Sequence, residues 1–297
     1  MPLENLRKVL LPITTPFRSE LVDHDALRAN LDRWASAGIG GYVVLGSTGE
    51  RVHLDEREYL DTVETARAAV AQSSTFIVGA GQQSTRGTIN EIKKAAAAGA
   101  DAVLVITPNY YRSAITQATL VTYYTAVADA SPVPLLLYSM PALTGIKIEP
   151  ETVAQLSQHP NIAGVKDSSN DVAGLKQTVD LCPAEFAVMT GNGTVFLEAL
   201  EAGATGAILA VGCVVPELCS EIFRLFSAGE LDPARLLQQK LTPLAVAVTT
   251  RFGIGGLKVA LDLAGYRGGD VRAPLQPPSE SARAEIADLL NSARALS

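Results

Sequence analysis

The sequence predicts an α/β protein, a closed (β/α)8 TIM barrel with a helical C-terminal extension. Three observations carry this reading. A helical stretch that ends in Ala-Gly and runs into an apolar strand recurs in ASAGIGGYVVLG (35–46), AAAAGADAVLVITP (95–108) and EAGATGAILAVG (201–212). The apolar runs are rich in Val, Ile and Leu and do not alternate with polar residues, as parallel strands buried on both faces do not. Eight such strands, each followed by an amphipathic segment, fit into the first 230 residues, which implies barrel closure. An open doubly wound sheet is the alternative, but no G-x-G-x-x-G opens the first helix.

Taken in order, strands are expected at 9–14, 75–81, 134–140, 162–167 and 185–191, and in the apolar runs of the three repeats. Amphipathic segments lie near 25–37, 55–72, 85–98, 116–130, 150–158, 171–181, 194–202 and 216–228. Gly38, Gly99 and Gly203 fit the left-handed position that closes a helix. Beyond the eighth unit, residues 233–250, 255–264 and 279–295 read as helical. The expected division is a catalytic barrel over 1–230 and an extension over 231–297.

Bulk properties narrow the function. The chain has 297 residues, 47% of them hydrophobic and 19% charged, so it can bury a large core. Its formal net charge is −7 with no basic run, which argues against a nucleic-acid partner. Cys182, Cys213 and Cys219 show no C-x-x-C spacing, so a disulfide framework is not expected and a reducing, cytoplasmic setting fits. Cys213, in ILAVGCVV, reads as a buried thiol of a core strand rather than a nucleophile. No apolar run reaches the ~18 residues of a membrane span, and the N-terminal apolar segment is short for a signal peptide. His24, His53 and His159 are far apart in sequence and form no metal-ligand pattern. No cofactor or metal is expected.

In such a barrel the active site gathers where the strands end. There the sequence places GSTGE (46–50), TPNYY (107–111), YSMP (138–141), KDSS (166–169) and TGNGT (190–194). Of the eight lysines, Lys93, Lys94, Lys176, Lys240 and Lys258 read as solvated or snorkelling helix residues, and only Lys166 ends a buried strand. Burial disfavours the charged form of an amine, and a neutral amine attacks a ketone to form a Schiff base. A buried ion pair with Asp167 is the plainer alternative, but neighbouring strand residues point to opposite sides. A Schiff-base aldolase also needs a proton carrier. Tyr138, ending the adjacent strand, offers a hydroxyl, against the alternative of a rim aromatic tied to backbone. In GSTGE the glycines let backbone N–H groups approach a substrate carboxylate, and Ser47 and Thr48 add hydroxyls. A phosphate cradle would need G-x-x-x-x-G-K-[ST], which is absent.

Together GSTGE, TPNYY, YSMP and GVKDSS resemble, in order and approximate spacing, the pyruvate-dependent class I aldolases that include dihydrodipicolinate synthase and N-acetylneuraminate lyase. The resemblance spans nearly the whole chain. It implies that Lys166 forms a Schiff base with pyruvate or another 2-oxo acid, and that Tyr138 carries the proton. It implies that Ser47 and Thr48 hold the pyruvyl carboxylate, with Ser47 also in the proton relay. Ser168, Gly191 and Ile208 are expected against the substrate; for Ser168 the alternative is a hydroxyl satisfied by backbone. Tyr110 matches a tyrosine that reaches across a dimer interface into the neighbour's site, implying a homodimer or homotetramer.

Two departures bear on the second substrate, an aldehyde. Synthases of this family resemble Y-N-x-P-x-R-T-G after the fifth strand, where the arginine clamps the aldehyde's carboxylate; here YSMPALTG puts Leu143 in that place. Neuraminate lyases resemble G-x-D-E after the seventh strand, where this chain has Gly193 and Thr194. YSMPALTG, LSQHPNIAGVKDSS, TRFGIGGLK and RAPLQ look most like segments of 4-hydroxy-2-oxoglutarate aldolases, whose products are pyruvate and glyoxylate. Dihydrodipicolinate synthesis, or cleavage or dehydration of a 2-keto-3-deoxy sugar acid, is the alternative within the same chemistry. A barrel that senses an oxo acid without turning it over is the non-catalytic alternative.

Overall fold

The computed structural model describes residues 2–295. Eight parallel strands, Val9–Pro12, Gly41–Val44, Thr75–Ala80, Ala102–Ile106, Leu135–Ser139, Ile162–Asp167, Ala187–Thr190 and Gly206–Ile208, form a closed barrel. Each pairs with its neighbour in sequence, and the last pairs with the first through Leu10 and Ile208. Most strands are shorter than the apolar runs from which they were expected. Gly38, Gly99 and Gly203 adopt φ of 71°, 94° and 103°, as helix-closing glycines do.

Side chains alternate between two apolar layers, because successive strand residues face opposite sides. The barrel interior holds Leu10, Val43, Ile77, Leu104, Leu136, Met189 and Ile208. The outer layer, against the helices, is much larger and includes Leu11, Val44, Val78, Val105, Leu137, Val165 and Val188. Most helices start at side-chain caps. Asp55 and Glu58 make a reciprocal capping box, and Asp23, Ser84, Thr116, Asp171 and Ser279 cap others.

The sequence reading did not anticipate some elements. A 3-10 turn over Pro2–Arg7 lies at the start, and a small antiparallel hairpin joins Phe17–Arg18 to Leu21–Val22. A one-turn helix, Pro141–Thr144, follows the fifth strand. Cys213 lies in the 3-10 turn Val211–Cys213, not in a strand, because the eighth strand already ends at Ile208. It is buried all the same, and its thiol donates to the Pro12 carbonyl at 3.3 Å.

The helices beyond residue 230 pack onto the barrel. Helix Leu231–Val246 continues through a π turn, Ala247–Arg251, into Gly253–Leu263, and Glu280–Arg294 closes the described chain. Buried Gln238 accepts the Leu197 N–H at 3.1 Å and donates to the Gly193 carbonyl at 3.0 Å. Among the described residues no helix is long and apolar enough to cross a membrane.

Lys258 corrects an expectation. It is not solvated but only 2% exposed, with its Nζ 2.5 Å from a Glu50 carboxylate oxygen. It also donates to the Asp270 carbonyl at 2.5 Å and sits 4.5 Å from the Phe17 ring centroid. Burial pulls its pKa below the ordinary lysine value, against the opposing field of Glu50. Its partners lie far away in sequence, so helical spacing alone gave no sign of them. Removing one partner of a buried pair strands the other charge. Lys258→Met is therefore expected to cost about 3–5 kcal/mol in urea unfolding, with much of the loss recovered in Lys258→Met combined with Glu50→Leu.

Candidate active site

Lys166 is the penultimate residue of the sixth strand, level with Tyr138 on one side and Met189 on the other. The three share one face, that of the barrel interior. The lysine is buried, and its Nζ lies 4.5 Å from the centroid of the Tyr138 ring. Asp167 turns away. Its Oδ1 accepts the Ser169 N–H at 2.7 Å, while burial raises its pKa against that bond. Among the described residues no carboxylate pairs with Lys166.

The Tyr138 hydroxyl is 3.3 Å from the Ser47 Oγ. Amine, aromatic ring and two hydroxyls thus form one continuous chain across the fifth and sixth strands and the loop after the second. That loop, Ser47–Gly49, is a 3-10 turn bracketed by two non-glycine residues in the left-handed region, Leu45 at φ 56° and Glu50 at φ 53°. Each such residue costs about 1–3 kcal/mol and persists only where its surroundings hold it. Here Glu50 is held by Lys258, by the Arg272 N–H at 3.1 Å and by His53 Nδ1 at 3.2 Å. Thr15 adds a hydrogen bond from its hydroxyl to the Gly49 carbonyl, at 2.7 Å. Thr48 is buried and Ser47 half-buried in the turn so fixed.

Ser168 lies just past the lysine. Its Oγ is buried and has no hydrogen-bond partner, so the backbone does not satisfy it. Gly191, after the seventh strand, makes room for both. A Cβ there would fall 2.1 Å from the Ser168 Oγ and 2.6 Å from the Lys166 Cε. Ile208 is buried in the interior layer on the eighth strand. Lys166, Tyr138 and Ser47 are therefore joined by direct contacts, and Gly191 adjoins Lys166 and Ser168.

The turn after Gly191 presents no acid. The Asn192 Oδ1 accepts from both the N–H and the hydroxyl of Thr194, at 3.0 and 2.7 Å. A Cβ on Gly193 would meet Val211 at 2.8 Å and Ala245 of the extension at 3.3 Å. Leu143, on the one-turn helix, is 59% exposed. The His24, His53 and His159 rings bond Thr65, Glu50 and Asp129 separately.

Within one chain Tyr110 stands outside this group. Its ring is 77% exposed and meets the Tyr111 ring edge-on at 5.1 Å. The loop is anchored by Gln83, whose side-chain oxygen accepts the N–H groups of Asn109 and Tyr110, both at 2.9 Å. Sequence reasoning missed Gln83, as it missed Lys258. A polar residue in a long loop gives no signal of what it will hold.

The chain is similar to known proteins along almost its whole length. A relative from Macrococcus caseolyticus, named 4-hydroxy-tetrahydrodipicolinate synthase, is 33% identical over 94% of this chain and 93% of its own length. One of the same name from Syntrophus aciditrophicus is 34% identical over 93% of this chain and 94% of its own. The structure of a monomeric dihydrodipicolinate synthase variant superposes with a TM-score of 0.93 at 30% identity, covering 98% of both chains. A prophage protein of the dihydrodipicolinic acid synthase family from E. coli K12, solved in complex with pyruvate, gives 0.90 at 29% identity over 96% of this chain and 98% of its own. The nearness to 4-hydroxy-2-oxoglutarate aldolases expected from four segments finds no counterpart in these relatives. The profile of the dihydrodipicolinate synthetase family matches residues 5–293, and the chain belongs to that family of class I lyases.

Proposed function

We propose that the chain joins pyruvate to, or releases it from, a short aldehyde that bears a carboxylate, through a Schiff base on Lys166. The observation that carries the reading is the contact chain from the Lys166 amine to the Tyr138 ring and on to Ser47, with no carboxylate paired to Lys166 among the described residues. The pyruvate complex of a family neighbour supports the donor.

In the cleavage direction, Lys166 attacks the ketone carbon and water leaves. The protonated imine then acts as the electron sink. Tyr138 takes the proton of the 4-hydroxyl, the C3–C4 bond breaks, the aldehyde departs and the bonding pair becomes a pyruvyl enamine. Protonation at C3 and hydrolysis return pyruvate and the free lysine. Condensation runs the same steps in reverse, and water then releases the linear 4-hydroxy-2-oxo acid; with an amino aldehyde such as aspartate semialdehyde, the adduct's own amine instead attacks the imine carbon, closes the ring and displaces the lysine. Ser47 passes the proton between Tyr138 and solvent. Ser47 and Thr48 hold the donor carboxylate, with Ser168, Gly191 and Ile208 against the pyruvyl group. Tyr110 completes the relay of a partner subunit in a homodimer or homotetramer.

The acceptor has two readings. The relatives' shared name supports aspartate semialdehyde, hence 4-hydroxy-tetrahydrodipicolinate synthesis. The uncharged, exposed Leu143 supports cleavage of 4-hydroxy-2-oxoglutarate to pyruvate and glyoxylate. Turnover of pyruvate with aspartate semialdehyde, set beside cleavage of 4-hydroxy-2-oxoglutarate, decides between them.

Borohydride added with pyruvate is expected to leave a reduced pyruvyl adduct on Lys166, seen by peptide mass spectrometry; an unmodified Lys166 peptide would sink the mechanism. Tyr138→Phe should still form that adduct while kcat falls about 10²–10⁴-fold, the usual worth of a positioned proton carrier. Gly191→Ala, whose methyl collides with Ser168 and the lysine stem, should slow adduct formation in pre-steady-state trapping while circular dichroism stays unchanged.

A further inference from the structure

Cations on the segments around the barrel mouth are mostly engaged. Arg51 pairs with Glu91 at 2.5 Å and donates to the Gly81 carbonyl at 2.7 Å. Lys147 bridges Asp171 at 2.9 Å and Glu149 at 3.3 Å. Arg272 holds Glu58 at 2.7 Å. Arg112 differs. It opens the turn Arg112–Ala114 in the loop after the fourth strand, and among the described residues no acceptor engages its guanidinium.

The guanidinium is nonetheless seated. It lies against Gly145, the left-handed residue that ends the one-turn helix after the Tyr138 strand. A Cβ on Gly145 would meet the Arg112 Cζ and Nε at 2.7 Å and Nη1 at 2.9 Å, and at φ 68° the position itself favours glycine, so a larger residue there would displace the guanidinium. Arg112 is exposed, so this planar fork of several donors lies open to solvent beside the strand that carries Tyr138 and is free to take a carboxylate.

We propose that Arg112 binds the carboxylate of the acceptor aldehyde, with Gly145 as its seat. The inference rests on the Schiff-base reading and deepens it. Donor and acceptor carboxylates are then recognised by different loops, GSTGE for pyruvate and the Arg112 loop for the aldehyde, so mutation separates them.

The test uses the full chain, with pyruvate as donor and either glyoxylate or acetaldehyde as acceptor. Arg112→Leu is expected to lower kcat/KM for glyoxylate about 10- to 100-fold, the worth of a charge-assisted bond. Acetaldehyde turnover and pyruvate trapping should stay as in the wild type. Arg112→Lys should recover part of the loss, and Gly145→Ala should show a smaller loss of the same selectivity. Undiminished glyoxylate turnover in Arg112→Leu, an equal loss with both acceptors, or a changed oligomeric mass overturns the assignment. A wild-type enzyme that forms no pyruvate adduct fails earlier, before any acceptor is added, and overturns the Schiff-base reading with it.

Discussion

Closure of the barrel is the constraint on which the rest depends. A closed sheet has no edge along which a strand can slip, and each residue's side is fixed by its place in the ladder. Lys166 is level with Tyr138 and Met189 because two ladders, one on each side of its strand, meet there in register. A slip of one residue would turn the amine outward into the apolar layer between strands and helices, and bring Asp167 inside. The same parity sends Leu136 and Tyr138 inward and Leu137 outward. The interior therefore changes along one strand from apolar packing to chemistry, with no change of backbone.

A second constraint acts on the loop after the second strand. Two non-glycine residues in left-handed conformations bracket Ser47 and Thr48, and such conformations relax unless something opposes it. The opposition comes from the other end of the chain. Glu50 meets Lys258 on an extension helix and Arg272 just beyond it, and Arg272 also lies 4.3 Å from the Phe17 ring centroid. A buried ion pair adds little net stability over an apolar pair of the same shape. What it does supply is direction, since the carboxylate has one place where its charge is matched. The extension thus supports the geometry of the site, although none of its residues joins the amine–hydroxyl chain.

Barrel and site were legible in the sequence to different depths. Apolar runs and helix-closing glycines report local structure, and they placed all eight strands, because each strand is short and mostly buried on both faces. Lys166 was legible because a charge at the end of a buried strand contradicts its surroundings. Lys258 was not, since a lysine on an amphipathic helix contradicts nothing until the opposite face is known. Gln83 was illegible for the same reason, as its partners are set by a loop. Cys213 was read correctly as buried and incorrectly as strand, because an apolar run does not show where a ladder ends. Tyr110 is a different case. Its exposure is plain in one chain, and its expected role concerns a second.

That no carboxylate pairs with Lys166 among the described residues shapes how protons would move in the proposed mechanism. Asp167, the obvious candidate by sequence, is turned to a backbone N–H, and its raised pKa reflects burial rather than a role beside the amine. In the proposed mechanism proton transfer therefore runs through hydroxyls. A tyrosine whose ring lies over the amine would serve two ends in that mechanism, since the ring face favours a cation while the hydroxyl would carry the proton away. Its hydroxyl meets Ser47, the less buried of the two loop hydroxyls, so the path runs from the interior toward solvent. Such a relay works only while Ser47 keeps its position. That position is held by the strained turn and by Glu50, and so by the pair that ties the loop to the extension.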